Sequence, residues 1–367
     1  MNNNKARVIA FYLPQFHTIP ENDKWWGEGF TEWTNVKKAK PLFKGHDQPR
    51  IPADLGYYNL LDSDVREAQA NMARGAGVEG FMYWHYWFGN GKRLLEGPFN
   101  EVLESDKPDF PFCLGWANHS WYAKNWNASD TKKDKLLIEQ AYPGEEDHTN
   151  HFLAVLKAFK DRRYLTIDEK PIFFIYSALT LPDVRLFIDL WQKLAKENGL
   201  NGIYFIGQAR VNSDCSKILN LGFDGICRTG IEDAVFKIRG KYTKKVFWYI
   251  KNKILNKRLN LFKYSDIIKN LLVPELDLKE NIFPTIVPNF DHSPRSGKNG
   301  LIYVGSTPEL FRRLLKATID LVKNKKEENK IIFLRSWNEW AEGNYVEPDK
   351  THKDEYLAVL KSEIKNN

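Results

Sequence analysis

The chain is poor in cysteine. Its 367 residues carry three, Cys113, Cys215 and Cys227, far apart and with no C-x-x-C pair. That excludes a disulfide scaffold or a zinc ribbon and fits a reducing compartment. Long apolar runs are missing too: nothing approaches the roughly 18 consecutive apolar residues of a transmembrane helix. The start, Met1 to Arg7, leads directly into a short apolar strand. It has neither the apolar core nor the cleavage site of a signal peptide, so a cytoplasmic location is expected. No G-x-G-x-x-G or G-x-x-x-x-G-K-[ST] follows a strand candidate, which removes the usual phosphate cradle of nucleotide-binding sheets. Internal repeats are absent.

Aromatic side chains are abundant instead. They make up 14% of the residues, and many of the 12 Trp stand beside polar residues, as in Trp25-Trp26-Gly27-Glu28 and Trp84-His85-Tyr86-Trp87. Rings with polar neighbours suit sugars, which present apolar C–H faces as well as hydroxyls. The net charge of +7 permits an anionic partner, and it is concentrated in 236–272. There Lys237, Arg239, Lys241 and eight further basic residues face a single acid, Asp266, with Phe247, Trp248 and Tyr249 interleaved. Two readings stay open. The stretch is a basic amphipathic surface for an anionic membrane, or a helical excursion packed on the body with solvated lysines. No nucleic-acid recognition module is visible, so no nucleic-acid partner is expected.

Eight apolar strand candidates run along the chain: Val8–Leu13, Phe81–Trp84, Phe112–Trp116, Ile172–Tyr176, Ile203–Gly207, Phe223–Cys227, Pro284–Asp291 and Ile331–Ser336. Helical patterns separate most of them, at Asp62–Ala76 with Ser63 as N-cap, Leu94–Ser105, His148–Arg162, Val184–Asn198, Thr307–Asn324 and Tyr356–Ile364. Near-continuous apolar strands alternating with helices predict an α/β fold, a (β/α)8 TIM barrel, over 1–367 as one domain. An insertion of about 232–280 falls between strands six and seven. The stretch from Ile19 to Leu61 reads as a long, nearly helix-free aromatic loop after strand one and as a wall of the substrate site. The polar segment Asn125–Lys135 reads as a loop.

Barrel enzymes carry their chemistry at the C-terminal ends of the strands. Here those ends hold Pro14-Gln15-Phe16-His17, Trp84-His85-Tyr86-Trp87, Trp116-Ala117-Asn118-His119, Gly207-Gln208-Ala209-Arg210, Asn289-Phe290-Asp291-His292 and Trp337-Asn338-Glu339-Trp340-Ala341-Glu342. The last is the most telling, because a buried strand passes directly into Trp, Asn and two carboxylates. At helical spacing Glu339 and Glu342 would have Cβ atoms about 5–6 Å apart. Close acids push one pKa upward and yield a protonated acid beside an ionised base, which is what glycosidic bond cleavage needs. His17, His85 and His119 lie in separate loops without an H-E-x-x-H, and His148 and His151 read as a solvated helix face. No metal or other cofactor is expected.

These stretches resemble a known family. Phe11-Tyr12-Leu13-Pro14-Gln15-Phe16-His17, Trp26-Gly27-Glu28-Gly29-Phe30-Thr31-Glu32-Trp33, Phe81 to Trp87, Trp116-Ala117-Asn118 and Trp337 to Gly343 are similar to the WbsX-like polysaccharide-biosynthesis proteins, whose domain is related to glycoside hydrolase family 99. The resemblance implies a (β/α)8 barrel and retaining chemistry through a 1,2-anhydro sugar. Glu339 would be the base at the substrate 2-hydroxyl and Glu342 the acid/base at the leaving oxygen. Ala341 departs from the His expected in the hydrolases. The candidate sugar contacts are His17, Trp26, Trp33, Tyr83, Trp84, His85, Trp116, Asn118, His119, Asp291, Asn338 and Trp340. The expected function is a carbohydrate-active enzyme of bacterial surface-polysaccharide or lipopolysaccharide O-antigen metabolism, acting on a free or lipid-linked glycan, with a peripheral inner-membrane contact as one reading of 236–272. The alternatives are a nucleotide-sugar-dependent glycosyltransferase and a non-catalytic glycan-binding barrel.

Overall fold

Eight apolar segments pair side by side and close on themselves. The structure, a computed structural model, describes residues 5–123, 135–240 and 259–365. The strands are β1 (Arg7–Tyr12), β2 (Val78–His85), β3 (Phe112–Trp116), β4 (Lys170–Ile175), β5 (Tyr204–Ala209), β6 (Gly225–Arg228), β7 (Ile282–Ile286) and β8 (Ile331–Leu334). Each is parallel to the next. β8 returns to β1 with Arg7 opposite Ile331 and Ala10 opposite Leu334. The result is the (β/α)8 barrel expected from the strand count, and closure leaves no open edge in the ring.

Aromatic side chains fill the interior. Phe11 of β1 meets Trp84 of β2 at 5.2 Å between ring centroids, Phe174 of β4 at 5.5 Å and Phe333 of β8 at 5.6 Å. β1 and β4 are not neighbours in the ring, so the Phe11–Phe174 contact crosses the lumen. Each such pair contributes about 0.5–1.5 kcal/mol beyond the area it buries.

The helices follow their sequence signals, with boundaries moved by local chemistry. In α3 (Ser63–Ala76) the cap is Asp62, whose carboxylate accepts from the Asp64 N–H; Ser63 is already the first helical residue. Gly77 ends it in the left-handed region. The helix after β3 begins earlier than expected, at Glu145–Phe159, and the one before β8, Pro308–Val322, is capped by Thr307 with Pro at its start. The early start of Glu145–Phe159 turns His148 and His151 inward, where both are buried, so they are not a solvated face.

The segment after β1 also differs from expectation. It contains two short helices, α1 (Pro20–Trp26) and α2 (Glu32–Lys38). Pro20 supplies the first-turn residue of α1, and at α2 the Thr31 N–H donates to the Thr34 hydroxyl. Between β6 and β7, where an insertion is expected, the chain is described only in part. The described parts there include Ile231–Arg239, a strand at Asn260–Lys263 and a helix at Tyr264–Leu271. That strand pairs with Leu301–Val304 of the β7–β8 connection, tying this stretch to the rim that carries the site. The central lysine- and aromatic-rich part of 236–272, and Asn125 to Asp134, lie outside the described residues. No helix among the described residues is long and apolar enough to cross a membrane.

Candidate active site

The C-terminal mouth of the barrel opens into a cavity of about 560 Å³. Phe11 and Trp84 line its barrel side, Trp26, Phe30 and Glu32 form the β1-loop wall, and Tyr86, Trp121, Tyr122 and Tyr176 add further rings. Gln208, His119 and His292 supply polar groups, and Arg295, Arg335, Glu339 and Glu342 complete the lining.

The two carboxylates do not sit on a helix. After β8, Asn338–Glu339 pairs antiparallel with Asn344–Tyr345, and Trp340–Glu342 forms one 3-10 turn between them. Gly343 closes the turn at φ 57°, and a Cβ there would lie 2.9 Å from Asp291 Cβ, so both backbone and space require glycine. The hairpin is anchored on both sides. Asn338 accepts from the Leu13 N–H at 2.8 Å and donates to the Leu13 carbonyl at 3.0 Å. Behind it, Glu347 accepts from Trp337 Nε1 (3.0 Å), Trp340 Nε1 (2.6 Å), Gln69 Nε2 (2.6 Å) and the Tyr58 hydroxyl (2.9 Å). Burial pushes Glu347 up to about 7 while those four donors pull it back.

One guanidinium organises the carboxylates. Arg295, from the short turn Ser293–Ser296 after β7, grips Glu32 through Nε at 3.0 Å and Nη2 at 2.8 Å. Its remaining Nη1 touches Glu342 at 2.6 Å and Glu339 at 3.3 Å. A single nitrogen in contact with both puts Glu339 and Glu342 on one face of the cleft. Arg335 Nη2 and His292 Nε2 approach Glu342 at 3.5 Å. Burial, and then the charge of Glu342, raise Glu339 to about 7; Arg295 and Arg335 oppose this. Burial would raise Glu342 as well, but Arg295, His292 and Arg335 outweigh it and hold its pKa below the ordinary glutamate value. The pair thus takes up its proton on the Glu339 side as pH falls through about 7, while Glu342 stays ionised.

Of the expected contacts, Trp26, Trp84, His119, Glu339 and Glu342 meet around the cavity. The others are placed behind its wall. His17 pairs with the Pro14 carbonyl, Trp33 donates to the Tyr58 carbonyl, and Tyr83 packs on Tyr12 and Phe99. His85 meets His151 at 2.8 Å between Nε2 atoms, Trp116 donates to the Trp87 carbonyl, and Asn118 accepts from the Ser177 N–H. Asp291 accepts from His46 and Gln48 and so pins the far end of the β1 loop, while Asn338 and Trp340 hold the hairpin. Eight of the nine share one physical reason: a buried polar group needs a partner, and these find theirs within the protein, whereas Tyr83 is held by ring packing.

Sequence reasoning missed Glu32, Tyr86, Tyr176, Gln208, His292, Arg295 and Arg335 as cavity residues. Glu32 and Tyr86 lie inside recognised motifs, Gln208 stands at the C-terminal end of β5, Arg335 directly follows β8 and His292 lies in the loop after β7, which is a usable signal. Arg295 has none, since its role depends on contacts with α2 and the β8 hairpin. Among the described residues no three His, Cys, Asp or Glu side chains converge as a metal-binding set.

Comparison with known proteins agrees with this architecture. The uncharacterized protein WxcX of Xanthomonas campestris pv. campestris strain B100 is 33% identical over 352 residues, covering 94% of this chain and 47% of that protein. The chain thus spans about half the length of the curated relatives it matches. A glycoside hydrolase-like protein of known structure superposes with a TM-score of 0.64 at 16% identity, covering 100% of this chain and 96% of that one. The GH99 endo-alpha-mannosidase from Bacteroides thetaiotaomicron, in complex with bis-tris-propane, gives 0.59 at 16% identity over 97% and 95%. At such identities these two share the fold. The family model described as Glycosyltransferase WbsX matches residues 8–360, nearly the whole chain: the protein belongs to the WbsX glycosyltransferase family.

Proposed function

We propose that this protein cleaves or transfers a sugar at an α-glycosidic bond with retained configuration, using Glu339 and Glu342 as its acid/base pair. The observation that carries the reading is the Arg295 bridge, which holds two carboxylates on one face of a ring-lined cleft. In the proposed sequence Glu339 takes the proton of the sugar 2-hydroxyl, whose oxygen closes on C1, while Glu342 gives a proton to the departing oxygen. Glu342, now a carboxylate, takes a proton from water or an acceptor hydroxyl, which opens the 1,2-anhydro ring at C1, and Glu339 returns its proton to O2. In the free protein Glu339, raised to about 7, takes the proton before Glu342, whose pKa is held down. The sequence therefore requires that the entering sugar draw Arg295 from Glu342, removing the strongest influence holding that pKa down and passing the proton across. Family membership supports a place in bacterial surface-polysaccharide metabolism, O-antigen included, with a free or lipid-linked glycan as substrate. The basic stretch 236–272 supports a cytoplasmic, inner-membrane setting.

The test is an NMR time course with parent, Glu339→Gln and Glu342→Gln proteins on α-linked oligosaccharides, together with an aryl α-glycoside of good leaving group. New reducing ends of retained configuration are expected from the parent. Glu342→Gln should still open the aryl glycoside, which needs no acid, and Glu339→Gln should not. Inversion, or the opposite ranking of the variants, removes the mechanism. A second reading, transfer from a nucleotide-activated donor, is favoured by the two guanidiniums in the cleft and predicts tight nucleoside-diphosphate binding.

A further inference from the structure

The cavity contains two guanidiniums in different circumstances. Arg295 is fully engaged, with Nε and Nη2 on Glu32 and Nη1 on the carboxylate pair. Arg335 is not. Leaving the end of β8, it reaches Glu342 Oε2 at only 3.5 Å, and its guanidinium stands 5.5 Å from the centre of the Phe290 ring. That is its only carboxylate contact among the described residues, and its side chain remains 24% exposed, on the cavity lining.

A planar group with five donors that makes one long hydrogen bond is poorly matched to a neutral ring. A sugar laid across it strips water from the charge and returns single hydroxyl contacts. An oxyanion with two or more oxygens returns paired, charge-assisted bonds in the geometry the guanidinium already has. The local charge agrees. Glu32 and Glu342 answer Arg295 at 2.8 and 2.6 Å, whereas Arg335 has only the 3.5 Å contact to Glu342, so the Arg335 end is the positive end of the cluster. Phe290 shields one side and Tyr176 also faces the cavity.

We propose that the cleft selects a glycan bearing an acidic group, a uronate carboxylate or a phosphate, which docks on Arg335 beside the carboxylate pair. This rests on the glycan reading above and names its substrate class.

The test titrates the full chain with methyl α-glucoside, methyl α-glucuronide and glucose 1-phosphate, following Arg side-chain 15N–1H signals and measuring Kd for the parent, Arg335→Gln and Arg335→Lys. Acidic sugars are expected to bind about tenfold tighter than the neutral one, the scale of one charge-assisted hydrogen bond pair. Arg335→Gln should erase that preference, acidic and neutral sugars then binding within about twofold of each other, and an unchanged far-UV circular dichroism spectrum shows that the variant is folded. Arg335→Lys should retain part of it. Preference for the glucuronide assigns a uronic-acid glycan; preference for the phosphate assigns a phosphorylated sugar or activated donor. Equal affinity for neutral and acidic sugars, or a preference that survives Arg335→Gln, overturns the inference and leaves the glycan reading standing. Failure of every sugar to bind removes both.

Discussion

At the scale of the residue, the site is governed by how few charges are left to water. Arg295 serves three carboxylates, and the proton count of the pair depends on it. The sign of the pH dependence follows. The proton on Glu339 is lost as pH rises through about 7, so kcat/KM of the parent should fall above that pH. Arg295 lowers both carboxylates, so Arg295→Gln should move this alkaline limb upward; a pH–rate profile of the two proteins reads it. The same shift bears on stability. A carboxylate raised in the folded state stabilises fully below its ordinary value and loses that contribution as pH rises toward about 7. Legibility at this scale was partial. Glu339 and Glu342 announce themselves by type, position and spacing, whereas Arg295 is one of many arginines until the chain brings α2, the β7 loop and the β8 hairpin together.

At the scale of the element, the β8 hairpin is the part that must not move. Trp337 and Trp340 of the hairpin converge with Gln69 of α3 and Tyr58 of the β1 loop on Glu347, a buried carboxylate with four donors. Removing it strands those donors at about 1–3 kcal/mol for each that stays buried without a partner. Glu347→Ala should therefore lower the urea midpoint by several kcal/mol equivalent, and Glu347→Gln by less, because its one oxygen still accepts; denaturant titration distinguishes them. Glu347 escaped the sequence reading because nothing local distinguishes it from a surface glutamate. The two helices α1 and α2 escaped as well, hidden by Gly and Pro in a stretch whose apolar spacing is too short to show a helical period. The strands, by contrast, were legible to within a few residues, since burial on both faces demands unbroken apolar runs.

At the scale of the whole molecule, the barrel is a closed ring around an aromatic plug, and the plug supports the cavity lining formed by Phe11 and Trp84. Phe174 touches both of them and Phe333. Phe174→Ala should cost about 3–5 kcal/mol, measured by denaturant unfolding, and should also loosen the cleft, seen as weaker sugar binding. Local sequence pattern alone determined the barrel and marked Glu339 and Glu342 as candidates at its mouth, because strand burial and strand-end chemistry are written in that pattern. Tertiary structure alone decided which polar residues face the cleft. Nine expected contacts turned inward, some to near neighbours as His17 to Pro14, others to remote segments as Asn338 to Leu13 and Asp291 to His46, and Arg295 and Arg335 turned toward the cleft. A side chain's choice between cavity and core is settled by where its hydrogen-bond partners lie in space, and neighbours along the chain do not reveal that.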